Sequence, residues 1–141
     1  MSDLKRVLIL CTGNSARSQI GEGLLRRAGG QKFAVESAGV APSFVRPEAI
    51  EVMREIGIDI SGHRSKSVDE FLGQPFDYII TVCDNAKQNC PVFPANSQRI
   101  HWSIDDPAEV SGDNETRLGA FRAARDELQT RIREFIEATN S

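Results

Sequence analysis

The fold of this chain is decided by the stretch Val7-Leu8-Ile9-Leu10-Cys11-Thr12-Gly13-Asn14-Ser15-Ala16-Arg17-Ser18. Its four leading apolar residues predict a buried strand that ends in Cys11, and a helical pattern begins directly after Arg17. A loop between a strand end and a helix N-terminus points successive backbone N–H groups inward, which suits a tetrahedral oxyanion. We therefore predict an anion-binding loop made of Thr12, Gly13, Asn14, Ser15, Ala16, Arg17 and Ser18.

Three side chains of this stretch indicate a reaction as well as binding. Cys11 lies at the floor of the loop, where the positive field is expected to favour the thiolate and lower its pKa. Arg17 is placed to clamp two oxygens of the anion, and Ser18 to donate a hydrogen bond to the thiolate. The predicted chemistry is attack by sulfur on a bound oxyanion. The alternative is a turn with an inert, buried cysteine. The missing Gly-Lys-Ser/Thr ending argues against a nucleotide-binding loop.

The whole chain has the length and composition of one domain. Its 141 residues are 40% apolar and 26% charged, which is typical of a soluble domain over residues 1–141. The net charge of −3 argues against a nucleic-acid-binding protein. No apolar run approaches the roughly 18 residues of a membrane span, and we see no signal peptide. We expect a cytoplasmic monomer, and we expect its three cysteines to be reduced at rest.

Strand-like and helix-like patterns alternate along the chain. We predict strands over 5–10, 32–37, 76–82 and 99–102, helices over 18–28, 47–56 and 115–138, and a short helical turn over 68–72. This order predicts an α/β fold: a single-domain three-layer sandwich in which helices flank a four-stranded parallel sheet. Parallel sheets bind ligands at the carboxyl ends of their strands. Cys11, Cys83 and the acidic segment after Trp102 all fall at such ends, so we expect them to share one site.

Cys83 and Cys90 form a second motif. As zinc ligands they are a weak match, because their spacing is too long for a zinc knuckle and neither His63 nor His101 is arranged as a partner. They could also be two unrelated structural cysteines.

A redox role for this pair makes a sharper prediction. If the intervening residues were helical, the two Cα atoms would lie about 10.5 Å apart, whereas a disulfide needs them within about 7 Å. Pairing Cys83 with Cys90 therefore requires the segment to unwind. Its polar composition, with Pro91 and Pro94 limiting the helix beyond, predicts that unwinding is easy.

A third motif, Asp105-Asp106-Pro107, follows the fourth predicted strand. A carboxyl group held over the anion-binding loop could protonate a departing oxygen, so Asp106 is a candidate general acid. The alternative is a turn or helix-entry signal, because Asp-Pro is common in turns. His101 and Trp102, just before this motif, are predicted to be packing residues near the site.

With these motifs assembled, the chain resembles the thioredoxin-coupled arsenate reductases, which are built on the low-molecular-weight protein tyrosine phosphatase fold. The resemblance covers nearly the whole chain. It rests on CTGNSARSQ at 11–19, on TVC at 81–83 with NCP at 89–91, and on HWSIDDPA at 101–108.

This resemblance implies a sequence of steps. Cys11 attacks arsenate, and Asp106 assists the loss of the leaving oxygen. Cys83 then attacks Cys11, which releases arsenite and leaves a Cys11–Cys83 disulfide. Cys90 attacks Cys83, and thioredoxin reduces the resulting disulfide, although related enzymes use glutaredoxin or small thiols. It also implies that no cofactor is bound and that phosphate or sulfate competes with arsenate.

The resemblance also points to one departure. Some members bind a potassium ion at positions that match Asn14, Glu22, Ser37 and an aspartate, and here Lys66 stands at the aspartate position. We hypothesise that the Lys66 ammonium replaces the ion, so that no metal is needed. The alternative is an ordinary surface lysine.

Two other functions compete with the reductase. A phosphatase acting on phosphotyrosine or small phosphoesters needs the same loop, arginine and general acid. Against it, Ala108-Glu109-Val110 offers no aromatic residue after the Asp-Pro, and a phosphatase has no use for Cys83 and Cys90. The other competitor is a non-catalytic protein whose loop senses phosphate and whose cysteines act as a redox switch.

Overall fold

The structure is a computed structural model that describes residues 4–91, 93 and 97–139. Its strands are β1 (Lys5–Cys11), β2 (Phe33–Gly39), β3 (Tyr78–Thr81) and β4 (Gln98–His101). Its helices are α1 (Arg17–Gly29), α2 (Pro47–Arg54), α3 (Asp84–Gln88) and α4 (Asn114–Thr139), with short 3₁₀ helices at Val68–Phe71 and Pro107–Glu109. All strand pairs are parallel, in the order β2-β1-β3-β4. The predicted four-stranded parallel sheet flanked by helices is confirmed.

Element ends differ from the predicted ones for local reasons. The helix predicted over 47–56 ends at Arg54, and the chain then turns through Gly57, whose φ of +80° favours glycine. The strand predicted over 76–82 is shorter in the structure and covers Tyr78–Thr81. Phe76 instead packs edge-on against Phe71 and Phe93, with ring centroids 5.9 and 6.0 Å away.

The sheet is buried on both faces, as its near-continuous apolar strands require. Ile9 lies under α1, where it contacts Gly21, and Tyr78 packs on Phe135 of α4 with ring centroids 5.0 Å apart. Leu8 and Leu10 point to the opposite face and are also fully buried. The strands are therefore held rigidly from both sides.

Ion pairs attach α4 to the rest of the chain. Glu55, just after α2, binds both Arg122 and Arg125 at 2.8–2.9 Å. Hydrogen bonds from Arg122 hold the pKa of the Glu55 carboxyl at about 2. None of the helices in the described part of the chain has the length and apolarity that crossing a membrane demands.

Candidate active site

The anion-binding loop begins where β1 ends and closes against the end of β2. Gly39 faces the loop so closely that a Cβ there would lie 2.5 Å from the Thr12 carbonyl oxygen and 2.8 Å from the Asn14 nitrogen. Only glycine fits this position, because a Cβ would clash with backbone atoms of the loop, and backbone cannot move aside as a flexible side chain can. The backbone N–H groups at the start of α1 have no partner within the helix. They are therefore available to an anion in the loop.

Asn14 fixes the shape of the loop. It has a φ of +47°, the left-handed region that asparagine tolerates better than other non-glycine residues. Its side-chain amide donates to Ser18 Oγ at 2.7 Å and to Ser37 Oγ at 3.0 Å. Its side-chain oxygen accepts from Gln19 Nε2 at 2.9 Å and from the backbone N–H of Lys66 at 2.8 Å. The side-chain nitrogen and oxygen of Asn14 are therefore both fully hydrogen-bonded, which holds the residue in its strained backbone conformation.

Cys11 lies at the floor of this loop, as predicted. Its Sγ is 2.8 Å from Ser18 Oγ and accepts a hydrogen bond from the Asn14 N–H at 3.2 Å. The expected lowering of its pKa is wrong. Burial raises the pKa of the Cys11 thiol above its ordinary value, and hydrogen bonding with Ser18 and the charge of Arg17 offset only part of that rise.

Arg17 is held at both ends of its guanidinium. Its Nη1 donates to the Ile104 carbonyl oxygen at 2.9 Å, and its Nη2 lies 3.6 Å from Asp106 Oδ2. The guanidinium is therefore shared with a carboxyl group. An arriving oxyanion would meet both groups together, because Asp106 stands directly beside Arg17.

Asp106 combines the two alternatives considered for it. Its Oδ1 accepts from the Ala108 N–H at 2.9 Å and caps the 3₁₀ helix Pro107–Glu109, so it is a helix-entry residue. Its Oδ2 is turned toward Arg17 and into the cleft above the loop. The cap fixes the direction of the carboxyl group.

Cys83 follows β3 and lies beside the loop. Val82 donates to the Leu10 carbonyl oxygen at 2.9 Å, so the chain leaves β3 next to the end of β1. Cys83 Sγ is 3.3 Å from Thr12 Oγ1, and it is near enough to Cys11 to raise the pKa of that thiol. The structure thus brings the first two cysteines to one place.

Cys90 lies beyond α3, at the other end of the short helix. Cys83 caps this helix by accepting from the Ala86 N–H at 3.4 Å, and Cys90 is half-buried. The intervening residues are helical, which is the condition under which a Cys83–Cys90 disulfide requires unwinding. All three cysteines are free thiols. Pro94 lies outside the described residues.

Lys66 is buried and turned toward Glu22. Its Nζ is 3.8 Å from Glu22 Oε1, and that oxygen also accepts from Ser37 Oγ at 2.5 Å. Glu22 is paired from its other oxygen with Arg26 at 3.0 Å. The structure therefore joins the four positions that the resemblance singled out, and Lys66 is not an ordinary surface lysine.

His101 was predicted to be a packing residue, and the structure gives it a different place. Its Nδ1 is 2.7 Å from Thr81 Oγ1 and its Nε2 is 2.9 Å from Asp84 Oδ1, so it ties the first turn of α3 to the sheet. That hydrogen bond lowers the pKa of Asp84. Trp102 is buried as predicted, 6.3 Å from the Phe135 ring.

A cleft of about 390 Å³ opens above the loop. It is lined by Thr12, Arg17, Cys83, Asp84, Asn85, Ser103, Ile104, Asp105, Asp106 and Glu109. Three of the predicted reactive groups, Arg17, Cys83 and Asp106, therefore line one cleft. Over the described ranges, no group of three or more His, Cys, Asp and Glu side chains is placed to hold a metal ion.

Comparison with known proteins agrees with this geometry. Residues 6–141 match the family described as low molecular weight phosphotyrosine protein phosphatase, and the chain belongs to that family.

Several relatives and solved structures that this chain resembles are arsenate reductases. The arsenate reductase of Halalkalibacterium halodurans is 44% identical over 133 residues, which are 94% of this chain and 96% of that protein. A solved arsenate reductase in its oxidized state is 33% identical, with a TM-score of 0.81 over 96% of this chain and 98% of that one. A thioredoxin-dependent arsenate reductase of Corynebacterium glutamicum is 28% identical, with a TM-score of 0.75 over 97% of this chain and 62% of that one. The resemblance inferred from the three segments is confirmed.

Proposed function

We propose that this chain is an arsenate reductase that converts arsenate to arsenite through a Cys11–Cys83–Cys90 relay, and that thioredoxin reduces it. The observation that carries the proposal is the position of Cys83, whose sulfur contacts Thr12 of the anion-binding loop. A second thiol beside the nucleophile is needed to reduce arsenic and is not needed to hydrolyse a phosphoester. The names of the similar relatives support the same activity.

The first step is the capture of arsenate by Cys11. The N–H groups of residues 12–18 and the Arg17 guanidinium bind the oxyanion. Because burial raises the pKa of Cys11, the thiol needs a proton acceptor, and a dianionic arsenate oxygen serves. The thiolate then forms a bond to arsenic while an oxygen leaves as water, and Asp106, which must be protonated at the start of the step, donates the proton and becomes a carboxylate. Arsenic is still As(V) after this step.

The second step is the reduction. The Cys83 thiolate attacks Cys11 Sγ, an S–S bond forms, and the electron pair of the S–As bond stays on arsenic. Arsenite leaves as As(III), and the two sulfurs together have lost two electrons. The short distance from Cys83 to the loop supports this order of attack.

The third step moves the oxidation outward. Cys90 attacks Cys83, and Cys11 leaves as the thiolate. Cys11 and Cys83 are buried and Cys90 is half-buried, whereas the residues between Cys83 and Cys90 are exposed except for Ala86. A reductant therefore meets the disulfide at the surface once the segment unwinds, and an exposed bond is readily exchanged.

The experiment that tests this function is arsenite release by the reduced chain. Without a reductant, we expect one arsenite per chain, because each chain holds one relay. With thioredoxin and its reductase, we expect continuous turnover, and a glutaredoxin system serves as the comparison. If no arsenite is released in either case, the proposed activity is wrong. Phosphate and sulfate are expected to inhibit by occupying the same loop.

A second candidate is phosphoester hydrolysis, which the pairing of Arg17 with Asp106 favours because it serves phosphoryl transfer equally well. We expect a weak activity on p-nitrophenyl phosphate. The variant Cys83→Ser separates the two functions, since it keeps phosphoester hydrolysis and loses arsenate turnover. If instead arsenate is bound but never reduced, the chain is a phosphate-sensing protein with a redox switch.

The thiol relay supports a proposal about the compartment in which the chain works. A relay of thiols has to be reduced at rest, so we propose that the chain works in the cytoplasm. We further propose that it acts as a monomer, with no resident cofactor or metal. Lys66 is proposed to take the place of an ion beside Asn14, Glu22 and Ser37.

A further inference from the structure

Arg99 on β4 is turned onto Cys90. Its Nη1 donates to Cys90 Sγ at 3.1 Å, and its Nη2 donates to the Pro91 carbonyl oxygen at 3.4 Å. One guanidinium thus holds both the sulfur and the backbone that follows it. Its two donors have the fork geometry that fixes a partner in direction as well as distance.

The charge of Arg99 is directed at the sulfur. Other arginines on the surface are paired with carboxylates, as Arg64 is with Glu70 and Arg122 with Glu55. Across the described residues, no carboxylate forms an ion pair with Arg99. A hydrogen bond from a charged donor is stronger than a neutral one, and it strengthens further when the acceptor becomes an anion.

Cys90 and Arg99 border one cavity of about 410 Å³. Its lining also includes Thr81 and His101, the last residues of β3 and β4. Free volume is therefore present beside the Cys90 side chain, at the ends of these two strands.

We propose that Arg99 is a positioning residue for the transfer of the disulfide from Cys11 to Cys90. It keeps the Cys90 sulfur at this edge of the sheet and stabilises the negative charge with which that sulfur attacks. In the step, a Cys90–Cys83 bond forms, the Cys83–Cys11 bond breaks, and the electron pair leaves on Cys11. There is no net oxidation. This proposal rests on the proposed function.

The same contact weakens when the step is complete. Once Cys90 is in a disulfide its sulfur carries no charge, and the hydrogen bond from Arg99 loses most of its strength. The hold on the backbone at Pro91 then depends on a single weak contact of 3.4 Å. The segment 83–90 is therefore held more firmly before the transfer than after it.

The experiment is a single turnover of the reduced full-length chain with arsenate and no reductant. Samples are quenched with a thiol-alkylating reagent, and non-reducing peptide mass spectrometry measures the Cys11–Cys83 and Cys83–Cys90 disulfides over time. In Arg99→Gln we expect an unchanged burst of arsenite and a transfer to Cys90 slowed about tenfold. In Arg99→Lys, which keeps a charged donor, we expect most of the transfer rate to return.

Arg131→Gln on the exposed face of α4 is the matched control, and we expect wild-type transfer from it. Wild-type transfer in Arg99→Gln would overturn the proposal, and so would an Arg99→Lys variant as slow as Arg99→Gln. If the wild-type chain releases no arsenite, the proposed function fails instead.

A readout without arsenate keeps the inference testable in that case. Alkylation of Cys90 by iodoacetamide at neutral pH, followed in a Cys11→Ser background, is expected to slow several-fold in Arg99→Gln and to recover in Arg99→Lys. An equal rate in all three proteins would contradict a role for Arg99 at this sulfur.

Discussion

The anion-binding loop and the segment that joins Cys83 to Cys90 lie at the same edge of the sheet but are built in opposite ways. Asn14, Ser18 and Gln19 are completely buried and hydrogen-bonded to one another. The segment is a five-residue helix whose one buried residue is Ala86. The comparison teaches that one region has a fixed geometry suited to an anion, and that the other can change its geometry while breaking few buried contacts.

The energies of the two regions differ accordingly. Unwinding α3 breaks backbone bonds such as those from Lys87 to Cys83 and from Asn89 to Asn85, each with a net value of about 1 kcal/mol. Water replaces them, since the segment is largely exposed. Opening the loop would instead leave the buried amide of Asn14 without partners, which costs about 1–3 kcal/mol for each group.

The largest expected effect comes from replacing Cys11, the proposed nucleophile of the anion-binding loop. In Cys11→Ser we expect no arsenite above background, because a hydroxyl does not replace the thiol in either the attack or the disulfide. Phosphate should still bind to the loop, which isothermal calorimetry measures. Residual enzymatic arsenite production would contradict the assigned role of Cys11.

Removing the proton donor is the next largest change. In Asp106→Asn we expect the capture of arsenate to slow about 10²–10⁴-fold, as for the loss of a general acid. The rate of the arsenite burst in a single turnover measures it. Asp105→Asn, at the neighbouring residue of the same cleft, is the control and is expected to stay near the wild-type rate. Equal rates for the two variants would assign no acid role to Asp106.

Replacing Lys66 tests how the buried residues packed against the anion-binding loop support it. Lys66→Met removes the ammonium near Glu22 and leaves that buried carboxylate with the ion pair to Arg26 and the hydrogen bond from Ser37, so we expect a loss of about 1–2 kcal/mol in urea unfolding. We also expect this variant, and not the wild type, to become more active when potassium replaces sodium. Lys5→Met at an exposed position serves as the control. A several-fold potassium activation of the wild type would argue that Lys66 does not replace an ion.

The smallest expected effect is a change in the pKa of Cys11, the proposed nucleophile. Hydrogen bonding with Ser18 lowers the pKa of Cys11 against the effect of burial, so Ser18→Ala should raise it further. A higher pKa means less thiolate at a given pH, and the rate of Cys11 alkylation should therefore fall about threefold to tenfold at neutral pH. Its dependence on pH should move to higher pH. A profile that is unchanged or moves to lower pH would be inconsistent with this account.

Much of the molecule could be predicted from its sequence, and the remainder depends on contacts between distant residues. Alternating patterns predict the parallel sheet, and the strand ends predict that Cys11, Cys83 and Asp106 meet. The raised pKa of Cys11 was not predictable, because it depends on how deeply the folded chain buries the sulfur. The pairing of Thr81 with His101, and hence the tie to Asp84, needs the register of β3 and β4.

The central claim is that Cys83 attacks Cys11 and thereby reduces arsenic. Only after that step does Cys90 attack Cys83 and form the final disulfide. The most direct measurement of this claim uses Cys90→Ser, given arsenate without a reductant and digested without reduction. We predict one arsenite per chain and one stable linkage between the peptides that carry Cys11 and Cys83. Arsenite released with both peptides still carrying free thiols would contradict the relay.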